Sequence, residues 1–334
     1  MNLEYTKQDE IADISMKRPH VVVLGAGASK AALPNGDSNG RQLPLMKDLI
    51  EIVGLGEFIS EFVPDYEGRD FEEVYNQLVE KQVPSEVLTK LEDKIREYCL
   101  LLELPPSPTI YDHLLLGLRK KDLIATFNWD PLLMQAYLRN RLRIELPRAI
   151  FLHGNVKVGA CLKDKVVGID GFRCSKCGAR FTPTKLLYPI KEKDYDKDPF
   201  IANEWSVLDS YLDNAFVLTI FGYSAPKSDI SAIEMMKKAW GPPEKRELEQ
   251  IEIIDIRDED DLHRTWQDFI CTHHYETKKS FYESWIAKHP RRTVEACWNQ
   301  FLEAKFIEEN PIPRDCDFIK LWDGLTPLRD AERN

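Results

Sequence analysis

The apolar positions of this chain follow two rhythms. Short unbroken runs come first: His20–Leu24 reads HVVVL and stops at Gly25, the pattern of a strand buried on both faces. Similar runs at residues 123–127, 149–152, 216–221 and 251–256 predict four more strands. Between them the period changes to three or four. Residues 45–119 read as helices broken near Pro64, Pro84 and Pro105-Pro106. The clearest of these is 86–103, with Val87, Leu91, Ile95, Cys99 and Leu102 on one face. Further helices are predicted from Pro131, over 200–214, and over Ile230–Trp240 with Ser228 or Asp229 as its cap. Strands alternating with helices predict an α/β fold, a Rossmann-like parallel sheet with helices on both faces. The predicted organisation is an extension over 1–18, a main domain over 19–260 and a C-terminal helical appendage over 261–334. The main domain carries the helical insertion 45–119 and a small, irregular cysteine-containing insertion over 156–190. Only helices are expected from Asp261 onward. The appendage is dense in aromatics, among them Trp266, Phe269, Phe281, Trp285 and Phe301. A helix pair cannot bury them all internally, so some are expected on the sheet and some at a subunit contact.

Composition narrows the class. The 334 residues are 43% hydrophobic and 30% charged, enough for a sizeable core. No stretch approaches the roughly 20 apolar residues of a membrane span, and the polar N-terminus lacks the apolar core of a signal peptide. A net charge of −11 disfavours general nucleic-acid binding. Residues 157–197 run against that balance, with ten basic residues, Lys191 and Lys193 included, and five acidic ones. They read as a solvated insertion, with a docking surface for an acidic partner as the sharper alternative. Seven cysteines, an odd number, argue against a disulfide framework and fit a reduced, cytoplasmic setting.

The candidate chemistry gathers where predicted strands end, the place where open α/β sheets bind ligands. Gly25-Ala26-Gly27-Ala28-Ser29 follows the first strand, and small residues let a diphosphate approach backbone N–H groups. Lys30 stands where the dinucleotide fingerprint needs its third glycine. Asp48 and Glu51, the acidic residues about 20 positions on, lie in a helical pattern. An ordinary dehydrogenase is therefore disfavoured. Thr126-Phe127-Asn128-Trp129-Asp130 ends the second strand: Asn128 suits ribose hydroxyls, while Asp130 also reads as a helix cap. His153-Gly154 ends the third, and histidine suits general-base work near neutrality. Gly222-Tyr223-Ser224 ends the fourth. Cys174-Ser175-Lys176-Cys177-Gly178 is a zinc-knuckle half-site, with Cys161 as a third ligand and Asp164 as a weak fourth; a decayed, metal-free module is the alternative.

In this order the motifs resemble the sirtuin superfamily, specifically its bacterial branch of sirtuin-like NAD hydrolases, over residues 18–258. The resemblance implies that Gly25, Ala26, Gly27, Ala28 and Ser29 cradle the NAD diphosphate, with Asp37 near the nicotinamide. It implies Asn128 against the nicotinamide ribose, Thr126 and Asp130 in the same element, and His153 as base. Gly222, Tyr223, Ser224 and Asp255 would meet the adenosine half. Three departures weaken protein deacylation more than NAD binding: Ala28 stands where classical deacylases usually carry a β-branched residue, Leu33-Pro34-Asn35-Gly36-Asp37 replaces the usual Gly-Ile-Pro-Asp-Phe-Arg stretch, and the four-cysteine module is incomplete. The expectation is cleavage of the nicotinamide–ribose bond by an NAD-depleting effector of antiphage defence, working as a homo-oligomer or with a regulatory protein. An NAD-dependent deacylase and a non-catalytic NAD or ADP-ribose sensor are the alternatives.

Overall fold

A computed structural model describes residues 3–190 and 195–333. Lys191 and Lys193 of the basic stretch lie outside the described residues. Six parallel strands form the main sheet: β1 (His20–Leu24), β2 (Leu123–Thr126), β3 (Arg148–Phe151), β4 (Val217–Phe221), β5 (Gln250–Ile254) and β6 (Tyr275–Lys278). Their spatial order is β6-β5-β4-β1-β2-β3, the doubly wound order, with helices packed around the sheet. β1, β4 and β5 are buried at every position, as parallel strands covered on both faces must be.

The sheet differs from the sequence reading at one edge. β6 lies in the tail where only helices were expected. Its sequence, YETK, is half-buried throughout and carries two charges, so it has neither an apolar run nor a clean alternation. It becomes a strand because β5 offers it an open edge. The tail is likewise no simple helix pair. Phe306–Ile307 pairs in parallel with Glu4–Tyr5, tying the two ends of the chain together. Beside that pairing, buried Glu10 meets His289 Nδ1 at 2.7 Å. Trp266, Phe269 and Phe281 are buried in the same core as the sheet strands, Trp285 packs with Phe216 and Val217, and Phe301 stays exposed.

Two insertions form structures of their own. Helices Leu49–Val53, Gly56–Ser60, Phe71–Glu80 and Ser85–Leu100 enclose a second core of Leu49, Ile59, Phe71, Leu78, Leu91 and Ile95. Trp129 and Tyr188 complete it, so this insertion packs directly against the loop that follows β2. The cysteine-containing insertion is not irregular. Val158–Cys161, Val166–Ile169 and Thr182–Pro183 make a three-stranded antiparallel sheet. Its strands are short and rich in glycine and valine, which hid them among turn residues.

Candidate functional site

Register places the site. Phe151, Thr126, Leu24, Phe221, Ile254 and Lys278 are successive Cα partners across all six strands. The chain therefore leaves the sheet along one line, at Leu152, Phe127, Gly25, Gly222, Asp255 and Lys279. β1 and β4 are where the strand order reverses, the crevice in which such sheets hold ligands. A cavity of about 620 Å³ opens there. Its wall includes Gly25, Ala26, Gly27, Asn128, Asp130, His153, Gly222, Tyr223, Ser224 and Asp255, residues separated by up to 230 positions in the chain.

The glycines are needed for a reason the sequence did not reveal. A Cβ on Gly25 would lie 2.5 Å from the Gly222 carbonyl oxygen, and one on Gly27 2.8 Å from Gly222 Cα. Gly222 itself has φ +60° and faces the Ala28 nitrogen. The two loops thus interlock backbone to backbone. Gly25 N–H donates to Phe221 O (3.0 Å) and Gly27 N–H to Gly222 O (2.9 Å). Those two amides are spent inside the protein and do not face an anion.

Three expected residues support the wall from behind. Ser29 is fully buried, donates to Asp130 Oδ2 (2.7 Å) and contacts the Tyr111 hydroxyl (2.5 Å). Thr126 Oγ1 accepts from the Asn128 amide (3.0 Å), and Ala28 packs in the core. Asn128 is held through Nδ2, which donates to Gly25 O (2.8 Å) and Ser29 Oγ (2.9 Å). Asp130 accepts from Leu132 N (3.0 Å), starting helix Leu132–Asn140. Burial raises its pKa above the ordinary carboxylate value. Asp37 is not brought to the cavity. Its carboxylate closes a tight turn, accepting from Asn39 N, Arg41 N and the Arg41 guanidinium, which holds its pKa down against burial.

His153 sits in an aromatic box. Phe127 meets it edge-on at 4.7 Å, Tyr195 lies parallel at 5.9 Å, and Tyr223 stacks on Phe127 at 4.2 Å. The Tyr195 hydroxyl is 3.3 Å from Nε2, and Asp229 Oδ1 is 3.8 Å from the same nitrogen. Asp229 was expected as a helix cap. Its side chain makes no capping bond to helix Ile230–Trp240 and instead accepts from the Tyr223 hydroxyl at 2.8 Å. Ser228 does not cap the helix either, its hydroxyl having no partner among the described residues. Asp229, Tyr195, Lys279 and Phe281 escaped the sequence reading as site residues. Tyr195 has no motif around it, and Lys279 and Phe281 reach the cavity only because β6 joins the sheet.

The second cluster lies on the small antiparallel sheet. Cys161, Asp164, Cys174 and Cys177 bring four donor atoms within 4.8 Å of one another. Cys161 and Cys177 sulfurs are 3.6 Å apart, near the ~3.8 Å edge of a tetrahedron with zinc–sulfur bonds of about 2.3 Å. The Lys176 amide donates to Cys174 Sγ (3.4 Å), and Asp164 Oδ2 approaches the Cys174 and Cys161 sulfurs at 3.2 and 3.4 Å. Asp164 pushes the Cys177 thiol up to about 12, and a cation among these donors would relieve that conflict. The donor set fits a closed Cys3Asp zinc centre.

No family model and no curated protein matches this chain. Solved structures do. A Sir2 homologue in complex with NAD aligns over 89% of this chain and 96% of its own, with 14% identity and a TM-score of 0.43. Sir2 bound to acetylated peptide aligns over 86% and 93%, with 14% identity and a TM-score of 0.35. A point mutant of a Sir2 homologue in complex with ADP-ribose aligns over 79% and 88%, with 14% identity and a TM-score of 0.37. At a TM-score below 0.5 these likenesses assign no residue of this chain a role. No helix among the described residues is long and apolar enough to cross a membrane.

Proposed function

We propose that this chain is a sirtuin-like NAD glycohydrolase that releases nicotinamide and ADP-ribose from NAD. The observation that carries the reading is one wall: Asn128 and His153 line the same crevice as the Gly25–Gly27 and Gly222–Ser224 loops, at the point where the strand order reverses. The cavity falls within the ~300–1,000 Å³ of small-molecule sites. The resemblance in motif order supplies the identity of the ligand.

The chemistry is displacement at the anomeric carbon of the nicotinamide ribose. The C1′–N bond breaks, its electron pair leaves with nicotinamide, and nicotinamide departs neutral. The transition state is oxocarbenium-like, as in glycoside hydrolysis. Water forms the new C1′–O bond and gives up one proton. Asn128, clamped by Gly25 and Ser29, orients the ribose or the water. His153 takes the proton, a role worth roughly 10²–10⁴-fold in rate. Phe127 and Tyr195 hold its ring in place. Zinc on Cys161, Asp164, Cys174 and Cys177 would brace the small sheet and take no part in the reaction.

An unchecked NAD hydrolase would empty its own cell, so we assign the activity to a switched effector of the antiphage kind, controlled by self-assembly or by a protein partner in the cytoplasm. The test is incubation with NAD alone, reading released nicotinamide. Release supports the hydrolase. Release only when an acylated peptide is added would establish the deacylase instead, and binding without turnover in the presence of every co-purifying partner would establish a sensor.

A further inference from the structure

We propose that Asp229 is the positioning residue for His153: its carboxylate, pinned by Tyr223, faces Nε2 of the imidazole that takes the proton. This rests on the reading of His153 as base. Three observations carry it. The two carboxylate oxygens are differentiated, Oδ2 accepting from the Tyr223 hydroxyl at 2.8 Å while Oδ1 stands 3.8 Å from His153 Nε2. Asp229 is 3% exposed and His153 5%, so little water lies between them to screen the pair. Finally, the helix that begins at Ile230 does not use Asp229 as its cap, although aspartate at that position ordinarily serves there.

The arrangement does two things. The carboxylate favours the imidazolium over the neutral ring, so His153 becomes a stronger base. It also offers the Nε2–H of the imidazolium an ion-pair partner once the ring has taken a proton from the water or a ribose hydroxyl. Tyr223 is fixed in turn by its stack on Phe127, the ring that also meets His153 edge-on. The loop after β4 and the loop after β3 are thereby coupled through one carboxylate. Tyr195 and Tyr223 are titratable groups that face this pair, and Glu72 reaches it through the Ser228 backbone. Burial drives both tyrosines far above their ordinary pKa, so both remain neutral donors, and burial raises Glu72.

The test is Asp229→Asn, which keeps an oxygen for the Tyr223 hydroxyl and removes only the charge. The His153 imidazole is titrated by NMR in histidine-labelled protein, alongside the pH profile of NAD cleavage. The expected result is a His153 pKa lower by about one unit or more, with the acidic limb of kcat/KM moving by the same amount. We expect kcat to fall about 10–100-fold while KM for NAD holds. An imidazole that titrates as in the wild type overturns the proposal. Should Asp229→Asn melt early, Tyr223→Phe is the second variant: it frees the carboxylate rotamer, and a downward shift of the His153 titration is again required. The NMR reading does not need turnover, so a wild-type protein that leaves NAD intact would sink the hydrolase reading alone.

Discussion

The two clusters of chemistry in this molecule are built in opposite ways. The cysteine module is local: Cys161, Asp164, Cys174 and Cys177 span 17 residues and meet because a three-stranded sheet folds them together. The cavity at the sheet edge is assembled from the loops after all six strands, spread over most of the chain, and it exists only because six strands share one register. A local cluster can be lost without moving the main sheet. A distributed one cannot be moved without moving the sheet. The proposed division of labour follows: chemistry where the whole fold converges, bracing where a short segment closes on itself.

The largest expected effects fall on the distributed site. His153→Ala should reduce nicotinamide release by about 10²–10⁴-fold with the melting temperature close to the wild type, since the imidazole contacts rings that stay packed without it. Asn128→Ala should be as damaging to turnover and also cost stability, because the Gly25 carbonyl and Ser29 hydroxyl lose their donor. Wild-type turnover in either variant would remove the reason for placing chemistry at the sheet edge.

The local module should respond in the reverse order. Purified protein is expected to carry one zinc per chain by elemental analysis. The Cys174→Ser, Cys177→Ser pair should release that metal and lower the melting temperature, while the remaining folded protein keeps its turnover per molecule. A stable double variant with turnover lost would make the module part of the site and erase the contrast. A smaller, purely steric test is Gly27→Ala. Its Cβ would meet Gly222 Cα at 2.8 Å, so the interlock of the two loops must spread, at about 1–3 kcal/mol. Thermal melting reads it, and an unchanged melting temperature would show that the loops are not held in contact.

What the sequence disclosed follows the same contrast. Buried runs such as HVVVL and VLTIF disclose the strands because both faces are covered, and the ends of those runs disclose the site loops. β6 was invisible because YETK owes its conformation to a neighbour's free edge. The glycines were legible but not their purpose: backbone-to-backbone contact between residues 25–27 and 222 is a relation between loops nearly 200 positions apart. Asp229 read as a cap because caps are chosen by local sequence, and only the fold shows Tyr223 claiming its carboxylate. Asp37, conversely, sat in a promising stretch and is consumed by its own turn.

If chemistry belongs to the sheet's edge and support to its body, stability and turnover should be separable by a change within the sheet, and Glu252 offers the smallest such change. It lies in the middle of β5, 2% exposed, accepting from Trp285 N (2.8 Å) and from Thr219 Oγ1 (3.2 Å). Burial raises its pKa to about 7. Burial raises Glu204, which accepts from Phe151 N, in the same way to about 7. A carboxyl whose pKa is higher folded than unfolded binds its proton more tightly in the native state. Its contribution is fully present below the unfolded value near 4.5 and is lost as pH rises through about 7. The wild type should therefore melt lower at pH 8 than at pH 6. Glu252→Gln removes the ionisation and keeps an oxygen for Trp285 N, and its amide donates to the Thr219 hydroxyl. The variant should match the wild type near pH 5 and exceed it at pH 8 by on the order of 2 kcal/mol, a few degrees in melting temperature, with the slope from Glu204 remaining. Nicotinamide release should be unchanged at both pH values, because residue 252 lies in the interior of the strand, short of the line where the loops begin. A variant that melts with the wild-type pH dependence would show that Glu252 is ionised at little cost. One that gains stability but loses turnover would show that the sheet's body and its edge are not separate after all.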